Sequence, residues 1–355
     1  MSALADVLKA RIARDGPISI AAYMQECLLN PRHGYYATRD PFGTAGDFVT
    51  APEISQMFGE IIGLFLAQVW MDQERPAPFV LAELGPGRGT LMTDALRAMR
   101  AVPGLVEAAE IHLIEASPVL RDTQTRTIPE TLTHHDTLAT LPDGPLFLVA
   151  NEFFDALPIR QFQRSGASWR ERVVGLSGEE LTFGLSDQLS PPILAERLDD
   201  TEDGQLVEHC APATALVSEI GQRVSSGGGA ALIIDYGDWR SLGDTLQAVR
   251  AHEPVGILDV PGNADLTAHV DFEALAKAAA PATSTRVVPQ GVFLERLGIT
   301  ARANALGATR GGAAFKEVAE AHRRLTHPEE MGTLFKAMAL HRDTDPTPPG
   351  FANDP

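Results

Sequence analysis

The sequence predicts an α/β protein built on a doubly wound, mostly parallel sheet, with a helical region before it and strand and loop segments inserted into it. Three observations predict this. From residue 79 onward, short and continuously apolar runs alternate with segments of helical periodicity. A glycine-rich turn, Gly85-Pro86-Gly87-Arg88-Gly89, stands directly between one such run and one such helix. Acidic residues close successive apolar runs, and that edge of a parallel sheet is where ligands bind.

Taken in order, residues 1–75 read as helical. Leu4, Val7, Leu8 and Ile12 share a face, Ser19 opens a second helix as its polar cap, and Met57 to Trp70 forms a third. Between the last two lies a long stretch of Gly, Pro and aromatics without period, which marks a functional loop. The core is expected over 76–342. Phe79-Val-Leu-Ala-Glu-Leu is its first strand and Thr90 to Arg100 its first helix. Ile111-His-Leu-Ile-Glu is the second strand and Ser117 to Thr125 the second helix. Pro145-Leu-Phe-Leu-Val-Ala and Ala230-Ala-Leu-Ile-Ile-Asp-Tyr-Gly read as further buried strands, and Leu334 to His341 as an antiparallel edge strand. Insertions are expected near 159–210, as short strands, and near 241–268, as loop; residues 343–355 read as a disordered tail.

The balance of charge narrows the function. Against 29 Lys and Arg stand 47 Asp and Glu, a net charge of −18. That excludes a general nucleic-acid binder and disfavours an anionic lipid surface, while it suits a cationic partner such as an arginine-bearing protein segment. Two distant cysteines make neither a disulfide framework nor a zinc site, and ten histidines show no metal-ligand spacing, so no metal is expected. The first residues lack the apolar region of a signal peptide, and no apolar run is long enough to span a bilayer. A soluble, cytoplasmic protein without membrane insertion is the expectation.

The glycine turn carries the chemistry. Threonine at position 90 stands where the dinucleotide fingerprint wants a third glycine, and the lysine of a phosphate-binding loop is missing. Glu83, two residues before Gly85, would repel a pyrophosphate but attract a cation. S-adenosylmethionine carries a sulfonium and an ammonium, so Glu83, Gly85, Pro86, Gly87 and Gly89 are assigned to its binding. Glu115, at the end of the second strand, is placed to accept both hydroxyls of a ribose, and Asp136 to accept an adenine amino group. The segment Asn151-Glu152-Phe153-Phe154-Asp155, after the fourth strand, would face the methyl acceptor. Its carboxylates could orient a guanidinium and take up the released proton, which makes Asn151, Glu152 and Asp155 the candidate catalytic residues.

The segments NPRHGYY, GDFVTAPEISQMFGE, ELGPGRGTLMTDALR, NEFFDALPIRQF, IIDYG, DLTAHVDF, PQGVFLERLGI and MGTLFKAMAL span most of the chain. In them it resembles the MidA-like family, whose mitochondrial members are complex I assembly factors acting as protein arginine methyltransferases. The resemblance implies a seven-stranded, Rossmann-like methyltransferase sheet, binding of S-adenosylmethionine, and methylation of an arginine in a respiratory-complex subunit. It also makes GDFVTAPEIS a lid over the cofactor, with Asp47, Phe48 and Thr50 as contacts. A bacterial member fits the missing presequence. Two alternatives stay open at this point: a small-molecule methyltransferase, and an assembly chaperone that binds S-adenosylmethionine without turnover. A homodimer through the inserted strands is compatible with the sequence.

Overall fold

The structure is a computed structural model that describes residues 2–38, 49–310 and 312–351. The chain forms two compact units, each assembled from separate stretches: Val49–Phe154, Thr214–Trp239 and Phe272–Pro355 in the larger, and Met1–Phe48, Asp155–Ala213 and Arg240–Asp271 in the smaller.

The larger unit is built on one sheet. Across it run Leu132–His135, Ala109–Ile114, Phe79–Leu84, Leu146–Asn151, Gly229–Asp238 and Phe335–His341, followed by the short piece Thr283–Ser284. The first five pair in parallel. Phe335–His341 runs antiparallel, in register Ala230↔His341. Numbered along the chain the order is 3-2-1-4-5-7-6, and the winding reverses between Phe79–Leu84 and Leu146–Asn151. A ligand crevice opens at the carboxyl ends of two strands that part in this way. Both strands are buried at every position, as continuously apolar runs in a covered parallel sheet must be. Phe335–His341 is antiparallel as expected, but it is not the edge, because Thr283–Ser284 and Val288–Pro289 pair with its outer side. Those pieces of two residues are too short to show any period.

One face of this sheet is covered by the helices Gln56–Asp72 and Thr90–Met99, which approach closely through glycine. A Cβ on Gly59 would stand 2.6 Å from Asp94 Cβ, and one on Gly63 2.4 Å from the Ala95 carbonyl oxygen. The expected disordered tail is corrected as far as Phe351, which is 5% exposed. Its ring packs 4.9 Å from that of Phe293 and 6.3 Å from that of Phe65, so an aromatic anchor orders what composition alone marks as loose.

The smaller unit holds the antiparallel order Ile18–Ser19, Ser168–Ser177, Arg160–Ser165 and Leu206–His209, with Glu180–Leu189 paired to Ser168–Ser177. A three-stranded sheet follows, Glu253–Val255, Gln247–Arg250 and Asp265–Thr267. The loop expected near 241–268 therefore contains strands, none long enough to display alternation. Helix Ala3–Asp15 starts at Ser2, whose hydroxyl accepts from the Ala5 amide at 3.2 Å; Ile20–Leu29 starts at Ser19, which accepts from Ala22 at 3.1 Å. The helical region read over 1–75 thus divides: its first two helices belong with the inserted strands, and Gln56–Asp72 belongs with the sheet.

Candidate cofactor and acceptor site

The site lies in the larger unit, at the carboxyl ends of its parallel strands. Phe79–Leu84 delivers the chain into the turn Gly85 to Gly89, where Gly85, Gly87 and Gly89 have φ of 59°, 53° and 82°. Only glycine takes this left-handed conformation without cost. A side chain at Gly85 would also strike the Phe153 ring at 2.7 Å. The turn is closed by the Gly89 amide donating to the Pro86 carbonyl at 2.8 Å and is held to the next strand by the Gly85 amide donating to Ile114 at 3.0 Å.

Glu83 sits under this turn, 3% exposed. The Met92 amide, in the first turn of the next helix, donates to its carboxyl, but its Oε2 has no hydrogen-bond partner among the described residues. Burial, and then the nearby Glu115 carboxylate, push its pKa up to about 8. Glu115 is also buried, at 9% exposure. Its Oε1 accepts from the Ser117 amide at 2.8 Å and its Oε2 from Gln124 Nε2 at 3.3 Å. Burial raises its pKa too, against the pull of those donors.

Beside them the fourth strand ends at Asn151, and Glu152 follows it. Asn151 is 8% exposed; its Nδ2 donates to Glu152 Oε1 at 3.1 Å, and its Oδ1 has no hydrogen-bond partner among the described residues. Glu152 has φ of 51°, a strained backbone for a non-glycine residue. Its Oε1 also accepts from the Ala51 amide at 2.7 Å. Burial lifts its carboxyl to about 7. The segment after it is held by Asp235, fully buried, whose Oδ2 accepts from the Phe153 and Phe154 amides at 3.1 and 2.9 Å. Asp235 is thereby committed to holding the backbone of this loop.

Thr50, 9% exposed, precedes the short helix Ala51–Ile54. Glu53 on that helix accepts from the Thr90 hydroxyl at 2.6 Å and lies 3.8 Å from Arg88, tying this segment to the glycine turn. Threonine at position 90, which removed the dinucleotide reading, is therefore in use as a link. One remaining sequence candidate of the larger unit does not join the cluster. Asp136 is exposed and pairs with Arg121, because its strand is the outermost of the sheet and the preceding helix supplies a guanidinium there. Asp155 belongs to the smaller unit, where its carbonyl accepts from the Ala268 amide at 2.9 Å. Asp47 and Phe48 lie outside the described residues. Sequence reasoning missed Gln124, fully buried on the helix Pro118–Thr127. Its Nε2 donates to the Gly87 carbonyl at 2.7 Å as well as to Glu115, and only the folded chain brings these groups to it.

Two buried, unmatched acceptor oxygens, on Glu83 and Asn151, stand beside a glycine turn whose backbone admits close approach. Such a site fits a ligand that brings donors and positive charge. Residues 61–289 match a family model described as "Putative S-adenosyl-L-methionine-dependent methyltransferase". The chain belongs to that family. It is an S-adenosylmethionine-dependent methyltransferase. Curated relatives include the mitochondrial protein arginine methyltransferase NDUFAF7 of Danio rerio, 36% identical over 94% of this chain and 85% of its own. The Homo sapiens protein of the same name is 34% identical over 94% and 82%. Among solved structures, a protein from Burkholderia thailandensis bound to S-adenosyl-homocysteine superposes with a TM-score of 0.85 at 29% identity, covering 99% of this chain and 95% of that one. The methyltransferase sheet and the MidA-like resemblance expected from the sequence both hold. The expected cytoplasmic location does not: the named relatives are mitochondrial proteins, and that finding overturns it. No described helix of this methyltransferase is long and apolar enough to cross a membrane.

Proposed function

We propose that the protein methylates an arginine nitrogen of a partner protein, with the cofactor held by Glu83, Glu115 and the backbone of Gly85, Pro86, Gly87 and Gly89. The observation that carries the reading is the buried Glu83 carboxyl with an unmatched oxygen beside the glycine turn. A buried acid in that state is matched by an ammonium. Glu115 is assigned to the ribose hydroxyls, since two of its oxygen lone pairs are already oriented by Ser117 and Gln124. When bound, S-adenosylmethionine supplies a methyl group on a sulfonium whose departure leaves a neutral thioether. Asn151 Oδ1 is suited to hold a guanidinium N–H, and the Glu152 carboxyl to balance the guanidinium charge and take its proton. A carboxyl raised to about 7 is a base matched to that task at neutral pH. Thr50 and Asp155 remain candidates of the lid and of the acceptor side.

Arginine as the acceptor is supported by the names of the relatives; a respiratory-complex subunit as the substrate rests on what the MidA-like resemblance of the sequence implies. The net charge of −18 favours an arginine-rich segment. The test is transfer of labelled methyl from S-adenosylmethionine to respiratory-complex subunits, with mass spectrometry to locate the modified residue. Methyl-arginine formed by the wild type and lost in Gly87→Val and Glu152→Gln is the expected result. Label on lysine, on a carboxyl or on a small molecule would sink the arginine reading.

A further inference from the structure

Gln124 contacts the turn after the first parallel strand, the acid just past the second, and the third strand itself. Its Nε2 donates to the Gly87 carbonyl of the glycine turn at 2.7 Å and to Glu115 Oε2 at 3.3 Å. Its Oε1 lies 2.9 Å from His134 Nε2 on the outermost strand. The orientation of the amide follows from the partners. A carbonyl oxygen and a carboxylate both accept, so the NH2 must face them, and His134 must then present its Nε2–H to the amide oxygen. No exposed surface of Gln124 remains to supply water in place of these bonds.

We infer that Gln124 is a positioning residue for cofactor binding, fixing the carboxylate plane of Glu115 and the carbonyl of Gly87 relative to each other. The inference rests on the assignment of Glu115 to the ribose hydroxyls. A carboxylate can accept two adjacent hydroxyls only when its free lone pairs lie in the plane of that pair, and only when it is ionised. Ser117 holds one oxygen and Gln124 the other, so rotation about the terminal bond is blocked. Burial works against the ionised form of Glu115, and the Gln124 donor is one of the groups that offset it, together with the Ser117 and Ala116 amides and Arg121. Glu83 is the other titrating group facing Glu115, and His134 the one facing Gln124. Removing the amide leaves Glu115 free to turn and harder to ionise. Replacing it with a carboxyl sets two acids and a carbonyl oxygen against one another.

Calorimetric titration of the full chain with S-adenosylmethionine and S-adenosylhomocysteine, across pH 5.5 to about 9, tests this with Gln124→Met, Gln124→Glu and Glu115→Ala. The loss of a hydrogen bond to a charged group predicts that Gln124→Met binds both ligands about tenfold more weakly at neutral pH. That deficit should shrink as the pH rises and Glu115 ionises. Gln124→Glu is expected to show the opposite dependence, weakest at high pH and recovering in acid, where the protonated carboxyl donates again. This mirrored pair separates positioning from packing, since loss of packing shifts affinity equally at every pH. Wild-type affinity in both Gln124 variants, with Glu115→Ala impaired, would overturn the positioning role alone. A Glu115→Ala variant that binds like the wild type would overturn the assignment of Glu115 on which it rests.

Discussion

The Ala51 amide donates to Glu152 Oε1 at 2.7 Å, so the acid proposed to receive the acceptor's proton also anchors the first residue of the helix Ala51–Ile54. The two duties can be separated. Glu152→Gln retains an oxygen for the Ala51 amide but no base, so methyl transfer should fall at least a hundredfold while cofactor binding and melting temperature stay close to wild type. Glu152→Ala removes the anchor as well and should cost about 1–2 kcal/mol of stability in denaturant titration. In the wild type the transfer rate should rise with pH through about 7, as the carboxyl that burial has lifted becomes ionised. A rate independent of pH between 6 and 8 would remove Glu152 as the base.

Glu83 titrates near 8 because it is buried and faces Glu115, and a cationic ligand favours its ionised form. Binding of S-adenosylmethionine should therefore tighten as the pH climbs towards 8 and release a proton at pH 7. Calorimetry in buffers of different ionisation enthalpy reads this directly. The unliganded protein carries the opposite dependence. A carboxyl whose folded pKa lies above its unfolded value adds stability that is complete below the unfolded value and is lost as pH rises through about 8. Glu83→Gln should flatten that decline, weaken cofactor binding at least tenfold, and abolish the proton release.

A different acid contributes to the low-pH limb. Burial alone would raise Glu60, but Arg302, with Nε at 2.7 Å and Nη2 at 2.9 Å, and then Arg97 outweigh it and hold its pKa below the usual value. Stability from a depressed carboxyl is present above its unfolded pKa and is lost as pH falls through the folded one. Arg302→Ala should cost about 1–3 kcal/mol at neutral pH and less in acid, where Glu60 is protonated in either form. An equal loss at pH 3 and pH 7 would contradict this account.

Gly63 offers a test by sign. In an exposed helix, glycine to alanine stabilises by roughly 0.5–1 kcal/mol. Here the added Cβ would lie 2.4 Å from the Ala95 carbonyl oxygen, which is backbone and cannot turn aside. Gly63→Ala should instead destabilise by about 1–3 kcal/mol, read from the shift of the denaturation midpoint.

Elements defined by their own chemistry were legible in the sequence. The apolar runs of Phe79–Leu84 and Leu146–Asn151 announce buried parallel strands, and Ser19 announces a helix start. Glu83 and Glu115 could be picked out because the chain places an acid at a strand end beside a glycine turn. What was not legible depends on partners distant in the chain. Ile18–Ser19 pairs with Val173–Val174, so the N-terminal helices join the inserted strands rather than the sheet. Asp136 stands at a strand end like Glu115 but on the outermost strand, and Arg121 claims it. Gln124 carries no motif at all, because a buried amide is identified only by what it bonds. Phe351, in a stretch of Pro, Asp and Gly, is ordered by two rings that precede it by dozens of residues or more.

The antiparallel pairing of Gly229–Asp238 with Phe335–His341 has a consequence for biosynthesis. On the ribosome, Gly229–Asp238 can join Leu146–Asn151 as soon as it emerges, yet its other side stays open until His341 has left the exit tunnel. Throughout that interval the nascent chain displays an apolar strand edge, the kind of surface on which chains pair with one another. The burden on holding chaperones should therefore peak late in synthesis, and stalling or truncation between these two strands should produce aggregates rather than a smaller soluble enzyme.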